Sequence, residues 1–195
     1  MAEKDPFGNL RHSKEEEYFH KKERELIEKV RQRARLGEAA GVEDTTVLGH
    51  LEALGFDRDT VGLLHLVPLV QVAWSDGEVS AAERKEIHDA AAARGVAAGS
   101  PARTKLDGWL SKRPETAFFE RSLAVIRAML ETLPEEKRAA MKGDLVAHCH
   151  AVASASRGIL GLGPEVSAAE KEALDHIAGA LSRTHEKAAQ DVSGG

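Results

Sequence analysis

Residues 73–83 read AWSDGEVSAAE, and this stretch ends one apolar helical pattern and begins another. Ser80 and Glu83 form the S-x-x-E pattern of a capping box, in which each side chain accepts a hydrogen bond from the other residue's backbone amide. Asp76 and Gly77 favour a tight turn, because glycine adopts positive φ without steric cost. The stretch therefore predicts a helix, a short loop and a second helix that begins after Ser80.

The hexapeptide EVSAAE occurs twice, at residues 78–83 and again at residues 165–170. Each copy follows an apolar helical pattern and precedes an amphipathic one, and the second copy is preceded by the longer loop RGILGLGP. Two related helix–loop–helix units that pack face to face would bury the apolar faces of both. The repeat therefore predicts a compact multi-helix bundle built from two such units.

Helical patterns fill residues 45–186, which we expect to form one domain. The predicted helices cover residues 45–54, 58–75, 81–94, 101–112, 114–132, 134–156 and 168–185. Pro68 should kink or split the second of them, because proline lacks an amide hydrogen and clashes with the preceding turn. Nowhere do four or more residues alternate in the manner of a strand. The predicted fold class is all-α.

An apolar helix that ends in DGEVSxxE, followed by another helix and repeated once, resembles the tellurite-resistance TerB-like family over about residues 45–185. The resemblance implies an all-helical domain of bacterial stress-response systems, in which acidic loop residues are proposed to bind metal. In this sequence the matching residues are Asp76, Glu78 and Glu83, with Glu165 and Glu170 as weaker counterparts in the second copy.

The same three acids have two interpretations on chemical grounds. Carboxylates are ligands that Ca²⁺ prefers, so Asp76, Glu78 and Glu83 could hold a divalent cation around the bend. The spacing is not that of an EF-hand, however, and Gly163-Pro164 stands where Asp76-Gly77 would be in the second copy. Helix capping alone also explains the motif, since a cap of this kind contributes about 1 kcal/mol. Any calcium site here is expected to be weak.

Residues 13–36 form a helical pattern of a different kind, highly charged and poor in apolar residues. An apolar stripe of Phe19, Leu26 and Val30 runs along it, with Tyr18 and Ile27 beside the stripe. So narrow a stripe suits one partner surface better than the wide face of a core helix. A free helix of this composition is marginal in water, so we expect binding to stabilise it.

The two ends of the chain and the segment after the charged helix lack helical signals of their own. We expect residues 1–12 and 187–195 to be disordered tails and the glycine-rich residues 37–44 to be a linker.

Phe7-Gly8, then nine residues, then Tyr18-Phe19, with Glu25 following, resembles the inhibitory segment of the mitochondrial F1-ATPase inhibitor family over about residues 7–35. In that family the helix inserts into a catalytic interface of F1 and blocks ATP hydrolysis. The resemblance and the apolar stripe together define the expected partner-binding residues: Phe7, Glu15, Glu16, Tyr18, Phe19, Glu25, Leu26 and Val30. The family's long C-terminal coiled coil is absent, so a helix that packs on its own domain or on a second copy remains an alternative.

Composition excludes several classes of function. A net charge of −5 with both signs interspersed is not a nucleic-acid footprint. No apolar run approaches the length of a membrane span, so we expect no membrane insertion. The single cysteine, Cys149, excludes an intramolecular disulfide and favours a cytoplasmic location.

No arrangement of residues in the sequence indicates catalysis. His148, Cys149 and His150 are consecutive, and consecutive helical side chains point about 100° apart, so the three cannot converge on one ion. We therefore expect a non-catalytic regulatory or stress-response protein whose N-terminal helix docks into a protein partner, with an F-type ATPase as the leading target. The alternative is a Ca²⁺-binding tellurite or stress-resistance module whose N-terminal helix serves only for self-association.

Overall fold

The computed structural model of the protein describes residues 6–155 and 166–182, with side chains from Tyr18 onward except that of Phe19. Over these residues the chain forms eight α-helices and one 3-10 helix, and no strand, which confirms the all-α prediction. The helices are α1 Pro6–Ala40, α2 Thr45–Ala53, the 3-10 helix Val61–Leu66, α3 Val67–Ala73, α4 Ala81–Ala93, α5 Pro101–Ser111, α6 Thr116–Glu131, α7 Glu135–Ala155 and α8 Ala168–Ser182.

Local signals account for most helix starts. Asp44 caps α2 by accepting hydrogen bonds from the amides of Thr46 and Val47. Ser100 caps α5, which opens with a proline in the first turn. The predicted helix over residues 58–75 is split as expected, because Pro68 lies at the start of α3 and a 3-10 helix precedes it.

Helix α3 lies at the centre of the bundle. Every residue of α3 except Gln71 is buried, and the helix contacts α4, α6, α7 and α8. A helix that is apolar around its whole circumference belongs in a core rather than on a surface. Helices α3 and α4 flank the first EVSAAE copy, and α7 and α8 flank the second. Contacts of α7 with α3 and α4 join these two units, as the repeat predicted.

Helix α1 differs from its predicted bounds at both ends. It begins at Pro6, a residue whose fixed φ suits the first helical position, so residues 6–12 are helical rather than a disordered tail. It continues to Ala40, through the first four residues of the predicted linker. The predicted tail at residues 187–195 lies outside the described residues.

The end of α1 is a Schellman motif centred on Gly41. Gly41 has φ +65°, its amide donates to the carbonyl of Glu38, and the amide of Val42 donates to that of Gly37 at 3.0 Å. Gly37 lies inside the helix, and a Cβ there would lie 2.9 Å from the Val42 carbonyl oxygen, so the motif favours glycine at this position. The sequence interpretation took the first glycine of GEAAG as the stop, whereas the second one terminates the helix.

An aromatic cluster closes one side of the domain. The ring of Trp109 lies 6.0 Å from that of Phe56 and 5.2 Å from that of Phe118, centroid to centroid. The indole of Trp74 donates a hydrogen bond of 2.8 Å to the carbonyl of Trp109. Both tryptophans therefore pack on the core.

Candidate functional site

The middle of α1, from Tyr18 to Arg35, is exposed in the part of the chain whose side chains the structure describes. Leu26 and Val30, the two described members of the apolar stripe, keep 64% and 62% of their surface accessible, and Tyr18 keeps 57%. Large apolar side chains at i and i+4 on an exposed helix are typical of a surface that binds another helix or a groove.

Two contacts hold α1 against the domain. Leu36 is buried among the core residues, and α1 packs on α2 and on the 3-10 helix. Three residues earlier, the guanidinium of Arg33 pairs with the carboxylate of Glu52 on α2, with Nε 3.0 Å from Oε1. The hydrogen bond from Arg33 holds the pKa of Glu52 below its usual value. Because both anchors lie near its C-terminal end, α1 presents the preceding turns to solvent.

A groove runs between the exposed part of α1 and the end of α2. It has a volume of about 620 Å³. Leu26, Val30 and Lys29 form one wall, and Gly55 and Phe56 form the other. The apolar stripe therefore faces a groove shared with the domain.

The structure places only part of the predicted partner-binding set. Tyr18, Glu25, Leu26 and Val30 are all exposed on α1, and Glu25 lies 3.6 Å from Lys22 in an exposed ion pair. The side chains of Phe7, Glu15, Glu16 and Phe19 lie outside the described residues.

The acidic loop between α3 and α4 turns two of its carboxylates outward. Asp76 and Glu78 are exposed, and Asp76 Oδ1 lies 3.5 Å from the amide of Glu78. Gly77, between them, has φ +103°, as expected for the glycine of a tight turn.

Glu83 points the other way, into the protein. The amide of Ser80 donates to Glu83 Oε2 at 2.8 Å, and the amide of Glu83 donates to Ser80 Oγ at 3.2 Å, so the predicted capping box is present. Only 1% of Glu83 is exposed, and its Oε1 has no hydrogen-bond partner among the described residues. Burial raises the pKa of Glu83, and the charges of Asp76 and Glu170 raise it further.

The second EVSAAE copy forms the same capping box at the start of α8. The amide of Ser167 donates to Glu170 Oε2 at 2.6 Å, and that of Glu170 donates to Ser167 Oγ at 3.1 Å. Glu170 is buried like Glu83. Glu165 lies outside the described residues.

These positions bear on the predicted metal site. Asp76 and Glu78 face solvent while Glu83 faces the interior. Within residues 6–155 and 166–182, no group of three or more histidine, cysteine or acidic side chains is arranged to hold a metal ion. The calcium hypothesis therefore needs the loop carboxylates to turn toward Glu83.

The His148-Cys149-His150 sequence forms no site. Cys149 is fully buried, and burial raises the pKa of its thiol to about 12, so it remains a protonated, unreactive thiol. The exposed His150 and the partly exposed His148 leave the helix in other directions, as consecutive residues must.

A second groove, between α2 and α6, contains no residue that the sequence analysis singled out. The sequence features that could have indicated this groove are Ala124 and Ala128, two small residues one helical turn apart on α6. Arg121 lies one turn before them. Arginine beside alanine is too common on helices to mark a site without the facing helix.

No helix in the described part of the chain combines the length and the apolar character needed to cross a membrane. Comparisons of the chain with protein-family models, with curated proteins and with solved structures yield no match.

Proposed function

We propose that the protein is a non-catalytic regulator whose helix α1 docks into a protein partner, with an F-type ATPase as the leading target. The observation that carries the proposal is the exposure of Leu26 and Val30 on a helix that is anchored to a folded domain only through its last turns. A partner that covers this leucine and this valine stabilises the complex by about 25 cal/mol per Å² of apolar surface removed from water.

The choice of an ATPase rests on the order of residues in α1. The resemblance to the F1-ATPase inhibitor family runs through Tyr18 and Glu25, and both are accessible. The domain would then carry and position the inhibitory helix, in place of the coiled coil of that family.

The test is ATP hydrolysis by F1 from the organism that encodes the protein, titrated with the full-length chain. The double variant Leu26→Ser with Val30→Ser should abolish inhibition, because it removes the apolar contacts and leaves the anchors Arg33 and Leu36 in place. Lys21→Ser with Glu28→Ser is the matched control: it changes the opposite face of the same helix by the same number of serines and keeps the net charge. Absence of inhibition by the unmodified protein between pH 6 and pH 8 would exclude the ATPase as the target.

A calcium-binding stress module is the second candidate, and the buried Oε1 of Glu83 favours it. This oxygen lacks a hydrogen-bond partner among the described residues, and the charges of Asp76 and Glu170 act on it. A divalent cation bound there would offset the repulsion among the three carboxylates. Millimolar Ca²⁺ should then raise the melting temperature, and Asp76→Asn should remove the increase while Asp59→Asn, at an exposed acid elsewhere, should not.

A further inference from the structure

The groove between α2 and α6 is open to solvent and has a volume of about 480 Å³. This volume lies within the range of about 300–1,000 Å³ that small-molecule sites occupy. Aliphatic side chains form its floor: Val47, Ala53, Leu54, Ala124, Val125 and Ala128.

All the other side chains that line the groove are basic. The remaining lining residues are His50, Arg121 and Arg127. Arg127 lies 4.0 Å from Glu131, and Arg121 has no ion pair among the described residues. The described lining contains no carboxylate, hydroxyl or amide side chain.

Small side chains on α6 create the groove. Ala124 and Ala128 are one helical turn apart, so they lie on the same face of α6, and α6 packs against α2. Helix pairs approach to about 8–10 Å, a distance that larger side chains normally fill. Alanine at both positions leaves the space between the helices open, with Arg121 on the same face one turn before Ala124.

We propose that this groove binds a single aliphatic chain with an anionic head group. The chain lies over Ala124 and Ala128, and the head group pairs with Arg121. A sugar, a nucleotide or a peptide backbone would leave its polar groups without partners on these aliphatic walls, at a cost that an alkyl chain avoids. The head group can be a carboxylate, a phosphate or a sulfate, because the arginine guanidinium donates hydrogen bonds to all of these oxyanions.

Calorimetric titration with octanoate, decanoate and dodecanoate, each below its micelle concentration, tests the length of the chain. A fully buried methylene strengthens binding about fourfold, equivalent to about 0.8 kcal/mol. In a half-open groove we expect about two- to fourfold per methylene. Decyltrimethylammonium, which has the same chain and the opposite charge, should not bind. Decyl phosphate should bind about as well as decanoate or better if charge alone selects the head group.

Two variants locate the site. Arg121→Gln should weaken decanoate binding at least about tenfold, because it removes the charge that pairs with the head group. Ala128→Leu should abolish binding by filling the groove, at little cost to α6, because leucine is a good helix former. Arg113→Gln and Ala139→Leu are the matched controls, at exposed positions outside the groove. Thermal melts of all four variants establish that each is folded.

Three results would overturn the proposal. Equal affinity for decanoate and decyltrimethylammonium would indicate nonspecific adsorption of surfactant. Unchanged decanoate binding in Ala128→Leu would place the ligand elsewhere. A dimer that sedimentation velocity detects in the unmodified protein and that Ala128→Leu dissociates would assign the groove to a second copy of the chain. None of these measurements depends on inhibition by α1, so the proposed function stands or falls separately.

Discussion

Glu83 at the start of α4 and Glu170 at the start of α8 are both buried, and the charge of Glu170 raises the pKa of Glu83. Each glutamate completes the capping box of its own EVSAAE copy. The two copies of the repeat therefore place two capping carboxylates inside the bundle, where the charge of one acts on the other. The positive ends of the helix dipoles offset part of the repulsion between these carboxylates.

Glu83→Gln should stabilise the protein at neutral pH. The folded-state pKa of Glu83 lies above the unfolded value of about 4.3, so stability is greatest below that value and is lost as the pH rises through the folded pKa. Glutamine removes the buried charge and keeps an oxygen that accepts from the Ser80 amide. The melting temperature of Glu83→Gln should exceed that of the unmodified protein at pH 7.5, and the difference should shrink at pH 4. Glu78→Gln, at an exposed position, serves as control, and a Glu83→Gln difference independent of pH would contradict this explanation.

His65 should make the stability of the protein depend on pH in the opposite direction from Glu83. Burial lowers the pKa of His65, and the charge of Arg94 lowers it further. Below about pH 6.5 His65 therefore binds a proton more readily in the unfolded chain than in the folded protein. The stability that the folded protein has above that pH is lost as the pH falls. Urea unfolding at pH 7.5, 6.5 and 5.5 should show a smaller loss for His65→Gln than for the unmodified protein. His150→Gln, at an exposed position, should follow the unmodified protein; a parallel loss in His65→Gln would show that His65 is not responsible.

Leu36 should be far more important for stability than Leu26, an exposed leucine of the same helix. Leu36→Ala should lower the free energy of unfolding by about 2–5 kcal/mol, because Leu36 is buried in the core. Leu26→Ala removes an exposed side chain of the same size and should stay within about 0.5 kcal/mol. Denaturant unfolding of the two variants decides this, and equal effects would mean that Leu26 is covered in solution.

The Schellman motif predicts contrasting effects of alanine at glycine positions. Gly41→Ala should destabilise by about 1–2 kcal/mol through backbone strain alone, because φ is +65° and no atom lies within 4 Å of a Cβ there. Gly49→Ala, inside α2 and equally uncrowded, should stabilise by up to about 1 kcal/mol. Thermal or denaturant unfolding measures both, and stabilisation by Gly41→Ala would show that α1 ends elsewhere.

Much of the helical pattern was predictable because helix ends are local. Ser80 and Glu83 are three residues apart, and Pro68 acts on its own turn, so neither needs knowledge of the distant chain. The end of α1 was not predictable in the same way. Either Gly37 or Gly41 could end the helix. The backbone of Val42 packs against Gly37 and its amide donates to the Gly37 carbonyl, and this contact places the end of α1 at Gly41.

The candidate sites were predictable only in part, for the same reason. The apolar stripe on α1 follows from helical spacing, and the exposure of Leu26 and Val30 agrees with it. The metal hypothesis counted Asp76, Glu78 and Glu83 as neighbours in sequence, but the capping box turns Glu83 inward while the other two face solvent. The groove between α2 and α6 combines residues about 70 positions apart, and neither helix indicates it alone.

The all-α class, the EVSAAE capping boxes and the charged helix with its apolar stripe can be predicted from the sequence alone, because each depends on residues within one or two helical turns. The burial of Glu83 and Glu170, the anchoring of α1 by Leu36 and Arg33, and the groove that the alanines of α6 leave facing α2 depend on how the helices pack. Burial and charge pairing depend on which helices pack together, and that packing joins segments far apart in the chain.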